Sequence, residues 1–170
     1  MGRGLASAAG AAQLSAHPLD SASEARVIRG SISHVDLTVT NLARSAEFYE
    51  QVLGCLGYRC LGEEGAGAPC WGTSDAEGGF FTIALQVARP ESVRRPHDRY
   101  APGLHHLAFH ANSREDVDTF HNFLLSIEAQ VLDPPAEYKY TPGYYAVFFS
   151  DPDGLKLEVV FEPQLRGRAV

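Results

Sequence analysis

The sequence predicts an α+β fold made of two tandem modules, each with the element order β-α-β-β-β. Three observations support this: alternating strands that run into capped helices, short glycine-bounded strands after each helix, and a repeat of the whole pattern in the second half of the chain. If strands from both modules curl together with the helices outside, they form a cup-shaped curved mixed sheet. The 170 residues suffice for two small modules fused into one domain.

The composition excludes several classes of protein. The chain has 21 acidic and 14 basic residues, a formal charge of −7, and it lacks an apolar run long enough to span a bilayer. An acidic chain also lacks the basic surface that binds nucleic acid. We therefore expect a small-molecule ligand and neither a membrane nor a nucleic-acid partner.

The cysteines and the N-terminal segment bear on the compartment. Three cysteines in no metal-binding spacing do not imply a disulfide framework, which favours a reducing, cytoplasmic location. Residues 1–29 are rich in alanine, serine and glycine, and they predict a disordered tail rather than a signal peptide. We expect the folded domain over 30–163 and a C-terminal tail over 164–170.

The first module, residues 30–87, begins with a strand of alternating polarity. Successive side chains of a strand point to opposite faces, so His34 and Asp36 share the face opposite Val35 and Leu37. A polar face of this kind, beside an apolar one, is typical of a half-buried strand.

A helix follows this first strand. Asn41 predicts an N-cap, apolar residues at helical spacing predict a helix over 42–53, and Gly54 predicts its end. Short runs between glycine-rich turns predict three further strands, near 58–61, 69–72 and 79–87.

A polar connector over 88–103 leads to the second module, residues 104–163, where the same pattern returns. Residues 105–110 alternate, and Ser113 opens a capping-box-like S-x-x-D before a second helix. The helix has Val117, Phe120, Leu124 and Ile127 on one face, and the strands that follow lie near 130–132, 144–149 and 155–162. An Asp-Pro-Asp-Gly turn precedes the last strand.

One rigid shift along the sequence superimposes the two modules. It places His34 on His106, the cap Asn41 on Ser113, and Phe48 on Phe120. Because the cap, the strand face and the helix face coincide together, we interpret the pattern as an internal duplication.

Three residues form a candidate metal site: His34, His106 and Glu158. Each lies within a predicted strand, on the face that the apolar pattern does not occupy. Two imidazoles and one carboxylate can bind a divalent transition metal and leave positions open for substrate. Strand histidines are also common as hydrogen-bonded core or surface residues, and each of the three taken alone is compatible with that role.

Three segments resemble the vicinal oxygen chelate superfamily, the glyoxalase, bleomycin resistance protein and dioxygenase group: SHVDLTV followed by NLARSAEFYEQVLG, then GLHHLAFHANSREDV, and finally FFSDPDGLKLEVVFE. The resemblance covers about residues 30–163. It implies paired βαβββ modules that form a cup, with a metal held by the residues that match His34, His106 and Glu158.

The resemblance also implies a class of reaction. We expect an enzyme that depends on a divalent metal (zinc, nickel, manganese or iron), in which two oxygens of a small oxygen-rich molecule chelate the metal. Glyoxalases and thiol transferases are of this kind, so the expected activity is that of a lyase or transferase. A metal-free or structural-metal protein that sequesters a small molecule is the main alternative. An extradiol dioxygenase is a second alternative, which is disfavoured because Phe148 replaces that family's tyrosine and no histidine lies between Gln130 and Glu158.

Two further points stay open at the level of sequence. Glyoxalase I has an additional carboxylate ligand, and the resemblance places Ala84 at that position in this chain. The rigid shift between the modules instead places Gln86 on Glu158, which would make Gln86 the residue at that position. In the aromatic segment over residues 138–145, Tyr140 and Tyr145 are candidate catalytic residues, because phenols both donate and accept hydrogen bonds. Loop packing is the alternative role for both tyrosines.

We also expect that the chain can form a homodimer.

Overall fold

The computed structural model describes residues 32–64, 68–74 and 78–163. The tails predicted over 1–29 and 164–170 lie outside the described residues. Within the described ranges, no helix is long and apolar enough to cross a membrane.

Both modules have the predicted order of elements. The first contains β1 (His34–Val39), α1 (Leu42–Cys55), β2 (Arg59–Glu64), β3 (Ala68–Ser74) and β4 (Phe80–Val87). The second contains β5 (Leu107–His110), α2 (Arg114–Ser126), β6 (Val131–Glu137), β7 (Tyr145–Ser150) and β8 (Lys156–Phe161). The α+β class and the tandem βαβββ architecture are therefore confirmed.

Each module forms its own four-stranded mixed sheet. The strand orders are β1-β4-β3-β2 and β5-β8-β7-β6, and in each sheet the first strand of the module pairs in parallel with the last. The remaining pairs are antiparallel. In the described part of the chain no strand pairs across the modules, so the curved sheet expected from the sequence is divided into two.

The predicted helix N-caps are confirmed. The Asn41 side chain accepts a hydrogen bond from the Arg44 amide at 3.1 Å, and the Ser113 hydroxyl accepts one from the Asp116 amide at 3.1 Å. The predicted end of the first helix is wrong, because Gly54 stays helical and α1 runs to Cys55.

The glycine that ends α1 is Gly57, which has a φ of 85°. The Tyr58 amide donates to the Leu53 carbonyl and the Gly57 amide donates to the Gly54 carbonyl, which is a Schellman arrangement.

The two modules share one apolar core. The Phe149 ring of β7 lies 6.5 Å from Phe48 of α1 and 5.5 Å from Phe120 of α2, measured between ring centroids. Tyr58 and Phe109 make a second aromatic contact between the modules at 6.2 Å. Because both sheets bury one face in this core, each sheet turns its other face outward.

The Asp-Pro-Asp-Gly turn also links the modules. The Tyr49 hydroxyl of α1 donates to Asp151 at 3.0 Å, and the other oxygen of Asp151 accepts from the Asp153 and Leu155 amides at 2.9 and 2.8 Å. The Thr40 amide donates to Asp153 at 2.8 Å. Asp151 is only 5% exposed, and burial raises the pKa of its carboxyl above the ordinary value.

Replacing Asp151 should destabilise the fold through lost acceptors. We expect Asp151→Ala to lower the free energy of unfolding in urea by about 2–4 kcal/mol, because it leaves the Tyr49 hydroxyl and two amides unpaired. Asp151→Asn retains an acceptor for the two amides and should lose less than half as much. A D151A variant that unfolds at the urea concentration of the wild type would contradict this role.

Candidate metal centre

The outward face of the first sheet carries His34 and Asp36, both exposed on β1. On β4, Thr82 pairs with His34, Ala84 with Asp36, and Gln86 follows on the same face. The amide nitrogen of Gln86 donates to the Asp36 carboxylate at 3.4 Å. These side chains, together with Cys70, line a shallow cavity of about 350 Å³.

The outward face of the second sheet carries the other two predicted ligands. Glu158 lies on β8 between Ala108 of β5 and Phe148 of β7, and it is only 1% exposed. Its Oε2 lies 3.2 Å from Nε2 of His106, and its Oε1 accepts a hydrogen bond from the Tyr144 hydroxyl. Both oxygens of this buried carboxylate are therefore held in place.

The groups around Glu158 shift the pKa of its carboxyl in opposite directions. Burial raises the pKa of the carboxyl, whereas the Tyr144 hydrogen bond and the proximity of His106 and Lys156 lower it, with a net rise. Burial and the bond to Glu158 raise the pKa of Tyr144. The phenol therefore stays protonated and acts as the donor in this pair.

His105 takes part in the same cluster, although sequence alternation turns it away from His106. The Nδ1 atoms of the two rings lie 2.7 Å apart, so one ring donates its proton to the other. Desolvation and the charges of His106, Arg99 and Lys156 lower the pKa of His105, which favours its neutral form. A neutral His105 can accept the Nδ1 proton of His106, so that Nε2, the nitrogen beside Glu158, would be the atom of His106 that binds a metal.

One chain does not bring all three predicted ligands together. Across residues 32–64, 68–74 and 78–163, no three His, Cys, Asp or Glu side chains are arranged to hold a metal ion. His106 and Glu158 are adjacent, and His34 lies on the outward face of the other sheet. The three-ligand site therefore stays a prediction.

The two predicted catalytic tyrosines lie apart from Glu158. Tyr145 points to the helix side of β7, where its hydroxyl donates to Asp118 of α2 at 2.8 Å. Tyr140 is 69% exposed, and its ring contacts that of Tyr144 at 5.1 Å between centroids. The tyrosine in contact with Glu158 is Tyr144, which strand parity could have identified, because Phe148 has the same parity.

The strand register resolves the first-module counterpart of Glu158. Asp36 pairs with Ala84, and Ala108, the residue on which the duplication places Asp36, pairs with Glu158. Ala84 is therefore the equivalent of Glu158, and the pairing of Gln86 with Glu158 is wrong. The first module has no carboxylate at this position.

Comparison of the sequence and the fold with known proteins identifies the family of this chain. The chain belongs to the Glyoxalase/Bleomycin resistance protein/Dioxygenase superfamily, whose family model matches residues 31–159.

Individual relatives agree with this assignment. The uncharacterized protein YqjT of Bacillus subtilis (strain 168) is 32% identical over 128 residues, covering 75% of this chain and 95% of YqjT. The metallothiol transferase FosB of Staphylococcus haemolyticus is 26% identical over 133 residues, covering 78% of this chain and 84% of FosB. A solved structure of a putative glyoxalase from Bacillus halodurans has a TM-score of 0.66 and 29% identity, covering 79% of this chain and 97% of that one.

Proposed function

We propose that the protein is a divalent-metal-dependent enzyme, a lyase or transferase of the glyoxalase or thiol-transferase type, that acts on a small oxygen-rich molecule. The observation that carries this proposal is the His106–Glu158 pair on an outward sheet face, with the nitrogen and oxygen 3.2 Å apart. The relative named metallothiol transferase supports the metal and the transferase class.

The donor set fits a divalent transition metal. An imidazole nitrogen and a carboxylate oxygen suit zinc, nickel, manganese or iron. A buried carboxylate is costly without a compensating cation, and Glu158 is nearly fully buried on a face that points out of the core. His105 would accept the second ring proton of His106, as partners of metal-binding histidines commonly do.

His34 would complete the site from a second copy of the chain. It occupies the same place in the first module that His106 occupies in the second. Because the two sheets bury their apolar faces in one shared core, His34 and His106 lie on the outward faces of different sheets. A second copy whose first sheet stacks on this second sheet would bring His34 to His106 and Glu158. The homodimer expected from the sequence then becomes a requirement of the metal centre.

The residues around the pair have separable roles in this proposal. A bound divalent ion would stabilise negative charge that develops on substrate oxygens. Tyr144 would hold one oxygen of Glu158 and leave the other as the ligand atom. Tyr140 stays a candidate for contact with substrate at the exposed edge, whereas Tyr145 is engaged by Asp118 and would act on substrate only if that bond broke.

A test by complementation separates a site between two chains from a site within one chain. We expect His34→Ala and Glu158→Gln each to abolish tight binding of zinc or manganese. Coexpressed with different affinity tags, the two variants should form a hybrid dimer that binds one metal per dimer, because one of its two sites is intact. Metal content is measured by mass spectrometry, and His121→Ala, a histidine of α2, is the control that retains two metals per dimer.

Two results would contradict the proposal. A hybrid without metal, or a wild type that sediments as a monomer at all concentrations, would exclude a site completed by a second copy. A wild type that binds none of the four ions would exclude the metal-dependent enzyme and leave a protein that sequesters a small molecule.

Tyr144 should control the metal affinity through Glu158. We expect Tyr144→Phe to raise the dissociation constant for the metal by about 10–100-fold, because the carboxylate loses the donor that orients it. Affinity is measured by competition with a chromophoric chelator. Tyr145→Phe is the matched control, since this neighbouring phenol contacts Asp118 on the opposite face of β7. Equal affinity in both variants would show that Tyr144 does not position the ligand.

A further inference from the structure

A cavity of about 330 Å³ lies at one end of the second sheet. Its lining includes Lys156 of β8, the strand that also carries Glu158. Its sheet side is formed by Lys156 and Ser150, and the connector that precedes β5 contributes Asp98, Arg99 and Tyr100. Lys156 and Ser150 are paired across β7 and β8. Because Lys156 is two residues before Glu158 on the same strand, both side chains share the outward face.

Lys156 is a largely buried cation with weak compensation. Its side chain is 15% exposed, and its only ion pair among the described residues is with Asp133 at 3.9 Å. Its Nζ lies 3.7 Å from the centre of the Phe148 ring, which supplies a cation–π contact. A cation removed from water in this way favours binding of an anion that can reach it.

Arg99 supplies a second positive charge on the connector side of the cavity. Its guanidinium lies 5.0 Å from the centre of the Tyr100 ring and donates to the Tyr100 hydroxyl at 3.0 Å. In the described part of the chain, Arg99 forms no ion pair with a carboxylate. Asp98 lines the same cavity and uses one oxygen to accept from the Tyr100 amide at 2.9 Å.

The charge of this cavity differs from that of the whole protein. The lining contains two cationic side chains, Lys156 and Arg99, and one carboxylate, Asp98, and the Asp133 carboxylate 3.9 Å from Lys156 balances the second positive charge, in a chain whose formal charge is −7. This corner of the sheet is therefore less negative than the chain as a whole. Lys156 and Arg99 can each donate charge-assisted hydrogen bonds to an anion.

We propose that this cavity binds the anionic group, a carboxylate or a phosphate-like group, of a substrate whose other oxygens reach the metal ligands His106 and Glu158. The inference rests on the proposed function and specifies its substrate class as small organic anions. Lys156 is the principal contact, and Arg99 closes the site from the connector.

Anion binding can be measured without knowing the substrate. The full chain, freed of metal with a chelator, is titrated with inorganic phosphate and separately with acetate, and binding is followed by NMR chemical shifts. We expect Lys156→Met to raise the phosphate dissociation constant about tenfold, the effect of losing one charge-assisted hydrogen bond. Lys156→Arg should keep most of the affinity, and Arg99→Gln should weaken it by a smaller factor.

A matched control separates a site from general electrostatics. Arg89→Gln removes the same charge as Arg99→Gln from the same connector, but Arg89 does not line this cavity, so it should leave phosphate affinity unchanged. The proposal is overturned if the wild type binds neither anion, if Lys156→Met binds as tightly as the wild type, or if Arg89→Gln weakens binding as much as Arg99→Gln.

A metal titration distinguishes this inference from the function on which it rests. Zinc affinity is measured for Lys156→Met by competition with a chromophoric chelator. Unchanged zinc affinity with weakened phosphate binding supports the anion site. Loss of both would overturn it, because Lys156 would then support the structure of the centre. A wild type that binds phosphate at Lys156 but no metal would keep the anion site and exclude the metal enzyme.

Discussion

The shared apolar core is the constraint on which the rest of the structure depends. Each module is too small to bury an adequate core alone, so both sheets and both helices pack around Phe149 and its neighbours. Each sheet has one apolar face, and that face lies in the core. The polar faces that carry His34 and Glu158 then point outward from two separate sheets, so the proposed metal site would take these two residues from two copies of the chain.

The turn before β8 contributes to structure and site at once. Asp151 holds the amides of Asp153 and Leu155, which fixes where β8 begins, and it binds Tyr49 of the first module. The start of β8 in turn sets which of its residues face outward. This one short motif therefore adds polar contacts between the modules and helps to set the orientation of Lys156 and Glu158.

The candidate centre combines features that do not favour stability with features that favour binding. The Glu158 carboxylate is buried beside an imidazole and a phenol, and Lys156 on the same strand has only a 3.9 Å ion pair with Asp133. Burial of these charges lowers the free energy of unfolding of the domain. On the same face of the sheet, Tyr138, Tyr144 and Phe148 form a small apolar cluster with Ala146 and Val160. Under the proposed function the His106–Glu158 pair would bind a cation, and Lys156 and Arg99 would bind the anionic group of the substrate.

The sequence by itself determined the elements, both N-caps, the duplication and the shared face of His106 and Glu158, because strand alternation and capping act over a few residues. The tertiary structure decided what depends on distant pairing. It showed that the chain from His106 to Glu158 is slightly longer than the chain from His34 to Ala84, a difference that a rigid shift cannot reveal. It selected Tyr144 over Tyr145, and it separated His34 from its partners, because the burial of both sheets in one core fixes the outward faces.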